Sequence, residues 1–275
     1  MQTGQPSRTA LGAARYRAEH QELDGGRIFR DPLARTILGD DLPPGDHLFA
    51  DGHERMRGFI ATRARFAEDA LAEAVREGTG QAVILGAGLD TFAYRNPYPA
   101  LRVFEVDHPD TQAWKRERLS SAGIAIPESV TYVPVDFERQ PLDGALTAAD
   151  FDATRPAFVI WLGVTVYLTR TAIEETLGHL GRLVPGSRVI IDYGVPRPES
   201  SPRTRATIEE RERRLAAIGE RWISFFTPDE MARLLRGTGF EVEEDLPAVD
   251  LALRYLGREP AAAAGPHLVR ARVPA

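Results

Sequence analysis

Residues 83–95 read VILGAGLDTFAYR, a short apolar run that breaks into glycines. A strand ending in Gly-x-Gly turns sharply and lets its backbone approach a nucleotide, because glycine takes positive φ freely and has no Cβ to hold a ligand away. Gly86, Ala87 and Gly88 make that turn. Thr91 stands where a dinucleotide site carries its third glycine, which disfavours a pyrophosphate cradle. A tight strand-to-helix connection would use the same small residues, and the next strand tips the balance. It reads LRVFEVD and ends in Asp107, about twenty residues past the turn, where a carboxylate accepts hydrogen bonds from both hydroxyls of a ribose. Glu105 shares a face of that strand and could serve instead; Asp107, nearer the carboxyl end, is preferred. Turn plus acid indicates an adenosine-type ligand. The following run, VTYVPVDF, ends in Asp136 and Phe137, an acceptor for an exocyclic amine beside an apolar face for a ring. Three successive strand ends thus place ligand-type residues at one rim, where open α/β sheets bind.

A rim of this kind needs a parallel sheet behind it. From residue 80 the chain alternates QAVILGAG, LRVFEVD, VTYVPVDF, AFVIWLG and SRVIIDYG with amphipathic stretches, the pattern of strands buried on both faces by helices. The expected core is a doubly wound α/β sheet over residues 80–275. GFEVEED and HLVRARV have strand character and can complete it as an antiparallel edge pair. Ahead of the core, residues 1–79 read as a helical cap, with ALGAARYRAEH and RMRGFIATRARFAEDALAEAVREG interrupted by DLPPGDH. Residues 196–222 read as an insertion, a polar loop followed by the helical pattern ATIEERERRLAAIGERW, and as a candidate lid or substrate wall. In TPDEMARLLRGTG, Thr227 with Pro228 and Glu230 predicts a capped helix that Gly237 or Gly239 ends.

Composition narrows the function class. With 43% hydrophobic residues among 275, the chain can bury a substantial core. A formal charge of −6 provides no broad basic field for nucleic acid or an anionic membrane, so the expected partner is a small molecule. There is no cysteine, which excludes disulfides, thiolate metal sites and cysteine nucleophiles. The six histidines show no ligand spacing, and no metal is expected. No apolar run reaches membrane-spanning length and the first thirty residues carry no signal-peptide pattern, so the expected compartment is the cytoplasm.

The combination of ILGAGLDTFAYR, FEVDHPDTQAWKRERL and VPVDFE, preceded by RDPLA and TRARFAEDAL, resembles the leucine carboxyl methyltransferase family. It is most similar to the bacterial branch of that family, S-adenosyl-L-methionine-dependent O-methyltransferases that include enzymes of polyketide and other secondary metabolism. The resemblance implies a class I methyltransferase fold, a seven-stranded doubly wound sheet with an N-terminal helical cap, and S-adenosyl-L-methionine as cofactor. It assigns Gly86, Ala87 and Gly88 to the methionine part, Asp107 to the ribose, and Asp136 with Phe137 to the adenine. Arg63, in TRAR, matches an arginine that pairs with the methionyl carboxylate, and Arg30, in FRDP, a basic position that assists it. By residue type alone Arg63 and Arg65 would read as a solvated helix face. One position departs from the pattern. Members that methylate protein carboxyl ends carry a glutamate after the fourth strand, where WLGVTVYLT places Leu162. That puts leucine carboxyl activity in doubt and leaves backbone carbonyls at Leu162 and Gly163 to accept from the cofactor's ammonium.

Methyl transfer from a sulfonium is an in-line displacement, so alignment and desolvation dominate over acid–base machinery. A carboxylate acceptor needs no base; a phenol or alcohol benefits from one. Candidates for that role are Tyr167, just past the fourth strand, and Tyr193, at the end of the fifth, with His20 and His108 less favoured. Trp222, Phe225 and Phe226 can wall an apolar acceptor, although core packing suits the phenylalanines better. Two other function classes compete: a nicotinamide-dependent oxidoreductase, opposed by Thr91 and by the absence of a Tyr-x-x-x-Lys pair, and a catalytically idle nucleoside-binding protein, favoured by Leu162 alone.

Overall fold

In the computed structural model, residues 8–39, 53–196, 213, 221–257 and 265–275 are described. The DLPPGDH turn, residues 197–212 of the expected insertion and most of its helical pattern lie outside them. Among the described residues, helices α1 (Arg8–Leu23), α2 (Ala34–Leu38) and α3 (His53–Arg76) precede the first strand. The core then runs β1 (Gln81–Leu85), α4 (Phe92–Arg95), β2 (Arg102–Asp107), α5 (Pro109–Ser121), β3 (Val130–Pro134), α6 (Leu142–Ala148), β4 (Phe158–Trp161), a 3₁₀ turn (Thr165–Tyr167), α7 (Arg170–Leu180) and β5 (Arg188–Tyr193). It closes with α8 (Pro228–Gly237), β6 (Glu241–Pro247), α9 (Ala248–Leu256) and β7 (His267–Arg272).

The seven strands form one sheet in the order β3-β2-β1-β4-β5-β7-β6. The first five are parallel, while β7 runs antiparallel between β5 and β6. This is the doubly wound seven-stranded sheet expected from the alternation of apolar runs. Because the strand order reverses between β1 and β4, the crossovers leave a crevice at the carboxyl end of β1.

Each face is covered by helices, as the uninterrupted burial of β1 and β4 demands. On one face Leu142 and Leu146 of α6, Ile173 and Leu177 of α7, and Met231 and Leu235 of α8 pack with Val83, Phe104, Trp161 and Ile191. On the other, Phe66, Ala67, Ala70, Leu71 and Ala74 of α3 and Leu251 of α9 pack with Ala82, Ile84, Val103, Ile160 and Ile190. The longest N-terminal helix therefore belongs to the sheet's own core. Helix α1 lies against α3 and α2. Helix α8 begins with the expected capping box, Thr227 accepting from the Glu230 N–H while Glu230 accepts from the Thr227 N–H.

Candidate cofactor-binding site

The strand registers align four residues at the carboxyl rim. Leu85 pairs with Val106, Ile84 with Ile160, and Trp161 with Ile191. Continuing each strand on the same face brings Asp107, Gly86, Leu162 and Asp192 into one row across β2, β1, β4 and β5. Three strand spacings separate its ends, about 14 Å. All four share the face covered by α3.

At one end, Asp107 accepts from the Gly88 N–H at 2.5 Å and from its neighbour His108 at 2.6 Å. Burial pushes its carboxyl above the ordinary value, while those two backbone donors pull it down. Glu105 is differently placed. It is 1% exposed, one oxygen bound to Lys115 Nζ at 2.8 Å and the other to the Tyr94 hydroxyl at 2.9 Å. Its carboxylate belongs to a buried network, so of the two acids Asp107 is the one placed at the rim.

The turn is tied to β2 by hydrogen bonds from the Gly86 and Ala87 N–H groups to the Val106 carbonyl, at 2.7 and 3.1 Å. Gly86 and Gly88 both have positive φ, +64° and +45°. A side chain at Gly86 would run into Val164, and one at Gly88 into Ala10 of α1. Thr91 is fully buried and accepts from Arg95 Nε at 3.0 Å. The helix it opens, α4, has only four residues, too short to present a phosphate-binding terminus of the dinucleotide type.

Beyond Asp107 lie Asp136 and Phe137. Asp136 accepts from the Glu138 N–H at 3.1 Å, and Phe137 packs with its ring 6.2 Å from that of the buried Trp161. At the other end of the row Arg63 reaches from α3 to Asp192, forming an ion pair through its Nη1. The second oxygen of Asp192 accepts from the Gly163 N–H at 2.6 Å. Gly163 has φ +75°, and a Cβ there would lie 2.9 Å from the Arg63 guanidinium. Arg63 is thus packed onto the turn that leaves β4, and Leu162 lies half-buried in the cluster below it.

Five expected residues sit apart from the row. Arg30 is exposed and lines a surface cavity of about 310 Å³ with Arg65, Glu68, Asp69 and Tyr98. Arg65 and Arg63 are two residues apart, about 200° around a helix, so this cavity faces away from the row. Tyr193 is 1% exposed, and its hydroxyl donates to Asp245 at 2.6 Å. Burial and that carboxylate hold the phenol far above its ordinary value, so it keeps its proton. His20 is fully buried, bonded to Asp24 and accepting from the Ile28 and Phe29 N–H groups, a structural clasp of the N-terminal segment. His108 caps α5 by accepting from the Asp110 N–H. Tyr167 stays half-buried on the 3₁₀ turn, whose Thr165 donates to the Asp192 carbonyl at 2.7 Å. Segment 222–226 bonds to that turn and to Gly194; Phe226 enters the core, whereas Phe225 lies half-buried against Gly194. Asp192 itself was not singled out from the sequence. Its signal was an acid two residues beyond Ile190 in an otherwise apolar strand, on the face shared with the glycine turn.

A profile of the leucine carboxyl methyltransferase family matches residues 10–181. The chain belongs to that family. It is 30% identical over 279 aligned residues to YktD of Bacillus subtilis (strain 168), assigned as an S-adenosyl-L-methionine-dependent methyltransferase, with 91% of each chain covered. It is 34% identical to SCO7813 of Streptomyces coelicolor, which has the same assignment, over 85% of this chain and 82% of that one. Among solved structures, a protein of Thermobifida fusca YX assigned as a methyltransferase superposes with a TM-score of 0.62 at 20% identity, covering 100% of this chain and 97% of that one. Magnesium protoporphyrin IX methyltransferase ChlM of Synechocystis PCC 6803, solved with bound SAH, gives 0.51 at 12% identity, over 94% and 98% of the two chains. These structures share the class I methyltransferase fold.

Membership makes the chain an S-adenosylmethionine-dependent methyltransferase and sets the nicotinamide reading aside. The residues present fit that cofactor. A rim carboxylate held by backbone donors, a glycine that admits no side chain, and an arginine–aspartate pair follow one another along the crevice. Among the described residues no group of His, Asp and Glu could hold a metal ion, and no helix is long and apolar enough to cross a membrane.

Proposed function

We propose that this methyltransferase transfers its methyl group to an oxygen of a small molecule, a carboxylate before a hydroxyl, in secondary metabolism and in the cytoplasm. The observation that supports the cofactor side of this reading is the row Asp107–Gly86–Leu162–Asp192, with Arg63 against its far end. S-adenosylmethionine supplies an electrophilic methyl group on a sulfonium. The residues of the chain bind and orient: Asp107 takes the ribose hydroxyls, Asp136 and Phe137 take the adenine, and Arg63 takes the methionyl carboxylate. Gly86 and Gly88 keep the turn low enough for the ligand to lie across it. Oxygen is favoured by the family's carboxyl chemistry. A carboxylate is favoured because it is nucleophilic as bound and asks nothing of Tyr193, whose hydroxyl is committed to Asp245. Tyr167 is the described tyrosine left near the turn where a hydroxyl acceptor would need a base. The acidic chain suits a small molecule rather than nucleic acid.

The test is a methyl-transfer screen following S-adenosylhomocysteine release, with paired acceptors that differ only in a free carboxylate or its amide, and with matched phenols. Turnover of carboxylates and not of their amides supports the reading. Turnover confined to amines or carbon acids overturns it.

A further inference from the structure

Asp192 is buried, 5% exposed, in a strand whose neighbours Ile190 and Ile191 are wholly buried. A carboxylate in such a place is costly unless paired and hydrogen-bonded. It has both, since Arg63 binds one oxygen and the Gly163 N–H the other, at 2.6 Å. Both partners belong to the rim rather than to the sheet's interior. Arg63 comes from α3, and Gly163 is the second residue of the turn leaving β4. The pair Trp161 and Ile191 sets the register, so the next residues, Leu162 and Asp192, lie side by side on adjacent strands and on the same face. The site therefore has no acid at Leu162 but does have one a single strand spacing away, about 5 Å.

An arginine beside an aspartate is complementary to the head of an α-amino acid. The guanidinium fork accepts a carboxylate in two parallel hydrogen bonds, and the carboxylate accepts from an ammonium. With no such head present, the two side chains satisfy each other. Resting on the cofactor reading above, we propose that Asp192 is a cofactor-binding residue: its carboxylate receives the α-ammonium of the methionyl group while Arg63 receives the α-carboxylate. The acid comes from the end of the fifth strand, beside Leu162, and it selects ligands that carry an intact amino-acid head.

The test is titration calorimetry with two probes, S-adenosylhomocysteine and 5′-methylthioadenosine, which shares the nucleoside but lacks the head. The proteins are the wild type, Asp192→Asn, and Asp192→Asn combined with Leu162→Glu. Wild type should bind both, the first more tightly. Asp192→Asn should weaken S-adenosylhomocysteine by about tenfold or more, the scale of a lost charge-assisted hydrogen bond, and leave methylthioadenosine unchanged. Leu162→Glu in that background should recover part of the loss. Equal weakening of both probes, or of neither, overturns the role of Asp192 while leaving the cofactor reading intact. Wild type that binds neither probe overturns the cofactor reading, and the proposal with it. If Asp192→Asn fails to fold, by circular dichroism, the same comparison is made with Leu162→Glu alone: tighter S-adenosylhomocysteine binding with methylthioadenosine unchanged means the ammonium lies between Leu162 and Asp192, and no change in either overturns it.

Discussion

Gly86 is pressed against Val164: a Cβ built on the glycine would lie 2.3 Å from Val164 Cγ2, with φ at +64°. Two separate penalties thus hold glycine at this position, a clash with the turn after β4 and a left-handed backbone. Gly86→Ala should cost about 1–3 kcal/mol of stability, measured by urea denaturation, and should weaken cofactor binding. Val164→Ala in the same chain should recover the clash part and not the backbone part. Full recovery would show that φ is not constrained.

Asp107 should impose a pH dependence on cofactor binding. Burial raises its carboxyl above the ordinary 3.8, against hydrogen bonds from the Gly88 and His108 N–H groups. The raised group favours folding when protonated, and that contribution is lost as pH rises through its folded value. Under the proposed ribose contact, binding has the opposite sign, because hydroxyls donate to the ionised form. S-adenosylhomocysteine affinity should therefore fall as pH drops through a value above 3.8, and the step should vanish in Asp107→Asn, whose affinity is low throughout. Calorimetry between pH 4 and 8 decides it; an unchanged step in the variant would exclude Asp107 as its source.

The only lysine of the chain, Lys115, is 1% exposed and pairs with the equally buried Glu105 at 2.8 Å. Lys115→Met leaves Glu105 with the Tyr94 hydroxyl and no cation, at an expected cost of about 3–5 kcal/mol. Burial holds the Glu105 carboxyl above its ordinary value, so the variant's stability should be greatest at low pH and decline as pH rises through that raised value. Replacing both residues, with Glu105→Leu, should restore most of the loss. Denaturant midpoints at two pH values test both statements; a loss independent of pH would assign it to packing alone.

Tyr193→Phe should leave methyl transfer intact, since its hydroxyl serves Asp245, and should cost about 1 kcal/mol from that hydrogen bond. Asp245 retains His267 at 2.9 Å, which limits the damage. Steady-state rates and a thermal melt separate the two effects. A rate loss of about a hundredfold would return Tyr193 to the chemistry.

The strands, their buried alternation with helices and the α8 capping box follow from local pattern, because a strand buried on both faces must read as an unbroken apolar run and a cap must place Thr three residues before Glu. The glycine turn and Asp107 were legible for the same reason: their chemistry lies in residue type and short spacing. Glu105 and Asp107, two residues apart on one face, could not be ranked by pattern with the same force. What separates them is Lys115 folding back from α5 and Tyr94 from α4 onto one and not the other. Arg63 and Arg65 are alike in sequence, and only the docking of α3 turns the first to the rim and the second away from it. Asp192 had to wait for the register between β4 and β5, which is fixed by the packing of whole faces and by no residue near it. Local sequence therefore determined the elements and the half of the candidate site that is proposed for the nucleoside. Of the other half, the family resemblance named Arg63 and Leu162; that they meet Asp192, far from both in the chain, was decided by the tertiary structure, since contacts at that separation exist only once the core has chosen its register.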